Sequence, residues 1–200
     1  MDDKSLISEI VDKNSQKAFE TLVNKYQPLV VKTCLGFVTS YADAEDIAQD
    51  VFVEVYLSLS GFRSEAKLST WLYRIAVNKS LNFVRKQKRE QIFRSIEVFF
   101  TAKGHDSEKL EIEDENGDRA DSNIERQENK LLLKKAIAIL PENQRIAFIL
   151  SKYQDLSYKE IAEVMDITLS SVESLLFRAK ANLKKHLQRE IKKNDIERKF

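Results

Sequence analysis

Cysteine, glycine, proline and histidine are all scarce in this chain of 200 residues. The single cysteine, Cys34, excludes an intramolecular disulfide and any cysteine-built metal site. It stands in Val30-Val31-Lys32-Thr33-Cys34-Leu35, which suits a buried small hydrophobe better than a redox sensor. Four glycines (Gly36, Gly61, Gly104, Gly117) and two prolines (Pro28, Pro141) are too few for the many turns of a sheet protein, so long helices are expected. His105 and His186 are far apart and lack ligand-like neighbours. No G-x-x-x-x-G-K, G-x-S-x-G or H-E-x-x-H pattern occurs, so enzyme chemistry, a cofactor and a metal are all unsupported. No run of about 18 apolar residues is present, so no membrane insertion is expected. Met1-Asp2-Asp3-Lys4 leads into an amphipathic helix rather than a signal peptide, so the expected location is cytoplasmic.

The apolar fraction, 42%, is ample for hydrophobic cores. The net charge of +1 conceals an uneven distribution. Residues 1–92 carry 13 basic and 12 acidic side chains, residues 93–130 carry 6 and 11, and residues 131–200 carry 14 and 9. An acidic middle therefore separates a balanced first part from a basic end, and local fields steer partners more than totals do. Helical periodicity places helices over Ser5 to Val11, Lys17 to Lys25, Tyr26 to Thr39 (with Pro28 in a first turn) and Ala42 to Leu59. In the last of these, Ile47, Val51 and Val55 with Ala48, Phe52, Tyr56 and Leu59 form one apolar stripe. Ser60 to Leu68 reads as a loop, and Ser69 as the cap of a helix from Thr70 to about Glu90. Phe93 to Lys130 has few apolar anchors and reads as an at least partly disordered tether. As a coil it would span roughly 35 Å, enough for on the order of one to two turns of duplex. Helices resume over Leu131 to Leu140 and, after Pro141, Glu142 to Tyr153. The charged tail from His186 to Phe200 continues or frays the last helix.

The most informative segment runs from Leu156 to Lys180. Ser157 and Glu160 have the spacing of a capping box, so a helix starts near Tyr158 with Ile161, Ala162, Val164 and Met165 as its apolar face. Asp166 tolerates the left-handed backbone of a tight turn, and Thr168 caps a second helix. Val172, Leu175, Leu176 and Ala179 face inward, leaving Ser170, Ser171, Glu173, Ser174, Phe177 and Arg178 outside. This is a helix-turn-helix pattern, whose second helix enters the DNA major groove in many proteins. Paired amphipathic helices also occur where no DNA is bound.

A second signal lies in residues 43–90. The acids Asp43, Glu45, Asp46 and Asp50 suit the positive end of a helix dipole, but Asp46, Gln49 and Asp50 with Val53, Glu54 and Leu57 also make an acidic face with exposed aliphatics, fit for docking a protein. Leu68 to Lys79 mixes aromatics with cations, as unpaired DNA requires for stacking and phosphate neutralisation. Trp71, Leu72 and Ile75 suit a core equally well, leaving Arg74, Asn78 and Lys79 as the better contacts. Arg85-Lys86-Gln87-Lys88-Arg89 is either a solvated helix end or a phosphate-binding stretch.

In order along the chain, Asp43-Ala44-Glu45-Asp46 to Val55, Gly61-Phe62-Arg63, Ser69-Thr70-Trp71-Leu72-Tyr73-Arg74-Ile75-Ala76 and the basic end resemble the second conserved region of bacterial sigma factors, of the small extracytoplasmic-function (group 4) type. Leu140-Pro141-Glu142-Asn143-Gln144-Arg145, Leu156 to Ala162 and Phe177-Arg178-Ala179-Lys180 resemble the family's fourth region. The resemblance implies an all-α fold of two small helical domains, 1–92 and 131–188, joined by the acidic flexible linker 93–130 and followed by a charged tail, 189–200. It implies a non-enzyme that binds core RNA polymerase and directs it to promoter DNA. Asp46, Gln49 and Asp50 would dock on the clamp helices of the largest subunit, with the flap as a further polymerase contact. Phe62, Arg63, Lys67, Arg74, Asn78 and Lys79 would engage the −10 element, where a base is captured from the opened strand. Ser171, Ser174, Phe177, Arg178 and Lys180 would read the −35 element. Family members are often held inactive by a membrane-anchored anti-sigma factor, although no residue here identifies one.

Two positions depart from the pattern. Family members often carry basic residues where this chain has Glu173 and Leu175. A carboxylate near phosphates is unfavourable, though Glu173 can accept from a cytosine amino group. Weak binding by the second domain alone is expected, with avidity from both domains restoring specificity. In the family the tether threads near the active centre and RNA exit path; its charge suggests a basic channel, with residues 108–118 displaced by nascent RNA. The competing readings are a stand-alone helix-turn-helix regulator and a helical adaptor without nucleic acid.

Overall fold

The structure, a computed structural model, describes residues 2–62, 66–101 and 131–197. Among these the chain is all helical: α1 (Asp3–Lys13), α2 (Gln16–Leu35), α3 (Tyr41–Ser58), a 3₁₀ turn (Leu59–Gly61), α4 (Leu68–Thr101), α5 (131–139), α6 (Glu142–Tyr153), α7 (Tyr158–Met165) and α8 (Leu169–Glu197). The starts of the first three are capped locally. Asp2 accepts from Ser5 N, Ser15 from Ala18 N and Ser40 from Asp43 N, each satisfying a donor that the helix itself leaves unpaired.

Three expectations need correction. Lys17 to Lys25 and Tyr26 to Thr39 are not two helices; α2 runs unbroken through Pro28. Proline removes the donor owed to the Asn24 carbonyl, but Asn24 and Pro28 both lie on the exposed side, where water can serve it, while Tyr26, Val30 and Val31 continue the buried face. Ser69 does not cap α4: Trp71 N donates to the Lys67 carbonyl, so the first turn begins at Leu68, which is itself buried. Finally, α4 continues past Phe93 to Thr101, so the first part of the expected tether is helical, while residues 102–130 lie outside the described residues. The tail continues α8 as far as Glu197.

Two hydrophobic cores result. The first joins α1 to α4 through Leu6, Leu22, Val30, Val51, Val55 and Leu72, all essentially inaccessible to water. The second is built by α5 to α8 around Ile137, Ile149, Leu150, Ile161, Val172 and Leu176. Burying each such side chain contributes about 1.5–3 kcal/mol. The helix α4 serves both cores. Leu68, Leu72 and Ala76 face the first, whereas Tyr73, Val77 and Leu81, joined by Phe37, complete the second. The two modules are therefore in direct contact.

Candidate nucleic-acid interface

The pair α7–α8 is shaped by interactions no more than five residues apart in sequence. Ser157 Oγ accepts from Glu160 N at 3.3 Å, and Glu160 Oε2 accepts from Ser157 N at 3.0 Å and from Ser157 Oγ at 2.8 Å, so the expected capping box is formed. Asp166 ends α7 in the left-handed region (φ 55°, ψ 49°), as the turn requires, and its N–H and that of Ile167 return to the Ala162 carbonyl. Thr168 Oγ1 accepts from Ser171 N at 3.2 Å and caps α8. Ile161, Val164, Val172, Leu176 and Ala179 are buried, and Leu175 is half-buried rather than fully inward. The opposite side of α8 is open to solvent, with Phe177 75% exposed, a large apolar ring that the monomer does not use.

Of the five residues expected to read the −35 element, Ser171, Ser174 and Arg178 line one depression of about 460 Å³, closed on one side by Asn143, Met165 and Leu175. Ser171 also lies 2.8 Å from Thr168 Oγ1, so its hydroxyl is partly committed to the cap. Lys180 is exposed but is two helical turns from Glu173, on the flank that Glu173 occupies and away from Arg178. Asn143, from α6, belongs to this surface and was not expected; only the packing of α6 against α8 brings it there.

Lys67, Trp71, Arg74 and Asn78 recur with the period of one helical face at the start of α4. Phe62 packs on Trp71 with ring centroids 5.1 Å apart, and both are half-buried. Arg63 lies outside the described residues. Lys79 is turned away, its Nζ 3.3 Å from Glu54 Oε2 on α3. Arg74 does not project freely: its Nη2 donates to the Glu163 carbonyl at 2.6 Å and its Nε to the Val164 carbonyl at 3.2 Å, both at the end of α7. Arg85, from the basic stretch, makes a two-pronged pair with Glu142 of α6 at 2.7 Å to each oxygen, while Lys88 and Arg89 remain exposed.

The third surface is on α3. Asp46, Gln49 and Asp50 are exposed beside Val53 and Leu57, as their spacing implies. Tyr56, expected in the core, is about half exposed; it stacks edge-on against Phe19 and donates to Asn14 Oδ1 at 3.2 Å. Between α2 and α3 runs an apolar groove of about 520 Å³, walled by Phe19, Val23, Phe52, Val53, Tyr56 and Leu57 with Gln49 at its edge. The α2 wall, with Phe19 and Val23, was not expected, because only the packing of α2 against α3 brings those side chains to the groove. No group of metal-ligating side chains occurs among the described residues. Cys34 is fully buried, and that burial pushes its thiol up to about 11, which removes it from thiolate chemistry. No described helix is long and apolar enough to cross a membrane.

Comparison with known proteins gives these surfaces a context. Residues 22–90 match Sigma-70 region 2, and residues 130–183 match Sigma-70, region 4. The chain is 35% identical over 193 residues to the RNA polymerase sigma-H factor of Pseudomonas aeruginosa, covering 93% of this chain and 94% of that one. It is 33% identical over 190 residues to the ECF RNA polymerase sigma-E factor of Escherichia coli K12, covering 92% and 93%. The solved structure of CnrH in complex with the cytosolic domain of CnrY shares the fold, with a TM-score of 0.63 at 21% identity over 94% of this chain and 97% of that one. The capped helix-turn-helix, the acidic helix face and the aromatic–cationic ridge thus sit in the two matched regions, in the same order, and the chain belongs to the sigma-70 family of RNA polymerase sigma factors, in its extracytoplasmic-function type.

Proposed function

We propose that this sigma factor binds core RNA polymerase through the acidic face of α3 and the apolar groove beside it, and brings the polymerase to promoters by reading two DNA elements with two modules. Asp46, Gln49 and Asp50 supply charge and hydrogen bonds at the rim of the polymerase contact, and Val53, Tyr56 and Leu57 supply apolar area; that combination favours a partner with basic and aliphatic side chains. The ridge of Lys67, Arg74 and Asn78, with Phe62 and Arg63, engages the opened −10 strand, where stacking and phosphate contacts offset the cost of extruding a base. Ser171, Ser174, Phe177 and Arg178 read the −35 major groove, with Lys180 contacting backbone. The chain has no catalytic role of its own and acts in the cytoplasm. A membrane-anchored anti-sigma factor remains the family's expectation for its regulation.

The observation that carries this reading is the exposed apolar and acidic surface of α3 in the same chain as a fully capped, outward-facing α8. Run-off transcription with purified core polymerase, with and without the chain, tests it. A promoter-dependent transcript is expected only with the chain present. Asp46→Arg with Asp50→Arg should abolish initiation while leaving the helical circular dichroism unchanged, because both side chains are solvent-facing. Retained initiation by that variant would refute the docking assignment. Tight operator binding without polymerase would favour a stand-alone regulator instead.

A further inference from the structure

We propose that the end of α8, where it runs past the second core, grips the DNA backbone beside the −35 element and supplies affinity that the reading surface itself lacks. The proposal rests on that surface being the one that meets DNA. Residues 169–178 bring no net charge to a polyanion, because they hold one base, Arg178, and one acid, Glu173. Residues 179–192 hold five bases (Lys180, Lys184, Lys185, Arg189 and Lys192) against one acid, Glu190. Register assigns three of these cations to the reading face. Lys185, Arg189 and Lys192 follow Ser171, Ser174 and Arg178 at steps of seven, four and three residues, so all six lie within about 60° of one another around the axis at 3.6 residues per turn. All six are exposed. The opposite side carries Val172, Leu176, Ala179 and Leu183, buried in the second core, with Leu187 half-buried against it. Glu190 falls on that core side. Among the described residues, no carboxylate pairs with Lys185, Arg189 or Lys192. The match to Sigma-70, region 4 ends at residue 183, so the cationic stripe lies beyond it.

The dimensions select phosphates over base edges. Ser171 to Arg178 covers about 10 Å of helix axis, close to the ~12 Å width of the major groove. Lys185 to Lys192 stand about 10–21 Å further along the same face, over the wall of the groove, where phosphate oxygens are the groups within reach of a long cationic side chain. The negative end of the α8 dipole does not oppose this. Lys185 and Arg189 are two or more turns from the helix end at Glu197, and the effect fades within the last turn. Backbone contacts of this kind position a protein without reading sequence, so the grip raises affinity for every −35 sequence alike.

Fluorescence anisotropy of the full chain on a fluorescein-labelled duplex of about 30 base pairs, at potassium chloride from about 50 to 200 mM, reads the contact directly. The sequence of the duplex is arbitrary, since phosphates carry none. Lys185→Ala with Arg189→Ala should lower the slope of log affinity against log salt by about 1.8, at ~0.9 per phosphate. Across that salt range the wild type should lose on the order of tenfold more affinity than the variant. Both positions are exposed and alanine favours helix, so the variant keeps its fold. Lys185→Arg with Arg189→Lys should keep the wild-type slope. Lys13→Ala with Lys17→Ala, exposed on the other module, removes the same charge and should leave the slope unchanged. Wild-type binding without salt dependence, or an equal fall in the Lys13 and Lys17 control, would overturn the proposal. An unchanged slope in the Lys185 and Arg189 variant would overturn it too, and would leave the stripe to an acidic protein surface. Anisotropy reads the backbone contact without polymerase. Run-off transcription indifferent to the −35 sequence, with the slope still falling as expected, would therefore sink the −35 reading alone.

Discussion

Replacing Ser157 by alanine removes the side-chain half of the α7 capping box and leaves only the backbone half, the residue 157 N–H donated to Glu160 Oε2. The hydroxyl accepts from Glu160 N at 3.3 Å and donates to Glu160 Oε2 at 2.8 Å, so alanine leaves one first-turn donor unserved and weakens the hold on the glutamate. Loss of such a cap costs about 1 kcal/mol, within a range of roughly 0.5–2. For a chain of this size that lowers the melting temperature by about 2–4 °C. α7 has only eight residues and cannot persist without its cap and its packing. The effect carries a pH signature. Hydrogen bonds from the Ser157 side chain and backbone, with a smaller contribution from Lys67, hold the Glu160 carboxyl below its ordinary value against the opposing effect of burial. A depressed folded value stabilises above the unfolded value and the gain disappears as pH falls through the folded one. The gap between wild type and Ser157→Ala should therefore be full at neutral pH and narrow below about pH 4.5, the ordinary value of this group. Thermal melts followed by circular dichroism measure it, with Ser157→Asp as the cap-restoring control. If Ser157→Ala melts with wild type, or Ser157→Asp falls as far as alanine, the capping argument is wrong.

Two further outcomes follow from the first module. Tyr26 donates to Asp3 Oδ2 at 2.7 Å while Lys25 lies 2.6 Å from Oδ1; burial pushes the Asp3 carboxyl up, but these two partners outweigh it and leave it below the usual range. Tyr26→Phe should cost about 1 kcal/mol in urea unfolding at neutral pH, with the cost fading as acid titrates Asp3; an equal loss at all pH values would count against the assigned bond. Native protein at pH 8 should leave Cys34 unalkylated by iodoacetamide for as long as it stays folded, with full labelling in guanidinium; rapid labelling of the native chain would contradict its burial.

How much was legible in advance depended on the range of the interaction. The capping box, the left-handed Asp166 and the Thr168 cap all involve groups within five residues, and their residue types permit few alternatives. The exposed acids of α3 were equally plain, because an apolar stripe at helical spacing leaves its opposite face in water. Pro28 misled, because its effect depends on whether the orphaned carbonyl faces solvent, which needs the neighbouring helices to be known. Tyr56 misled for a related reason: it has core-like spacing, but no helix covers it, and its ring lies against Phe19 instead. The period along α4 was also ambiguous, since its apolar residues form two adjacent stripes that serve two different cores.

Local chemistry written in the chain thus determined the all-helical class, the caps of α7 and α8, the outward surface of α8 and the acidic face of α3, since each depends on neighbours a few residues away. Tertiary structure alone decided where Arg74 spends its hydrogen bonds. Its partner Glu163 is 89 residues distant, and no periodicity or propensity reaches that far. The same holds for the groove between α2 and α3 and for the glycine at position 36 that admits Ile149. Such features arise when separate helices bury their apolar faces against each other, and that pairing is chosen by shape and volume rather than by any one segment.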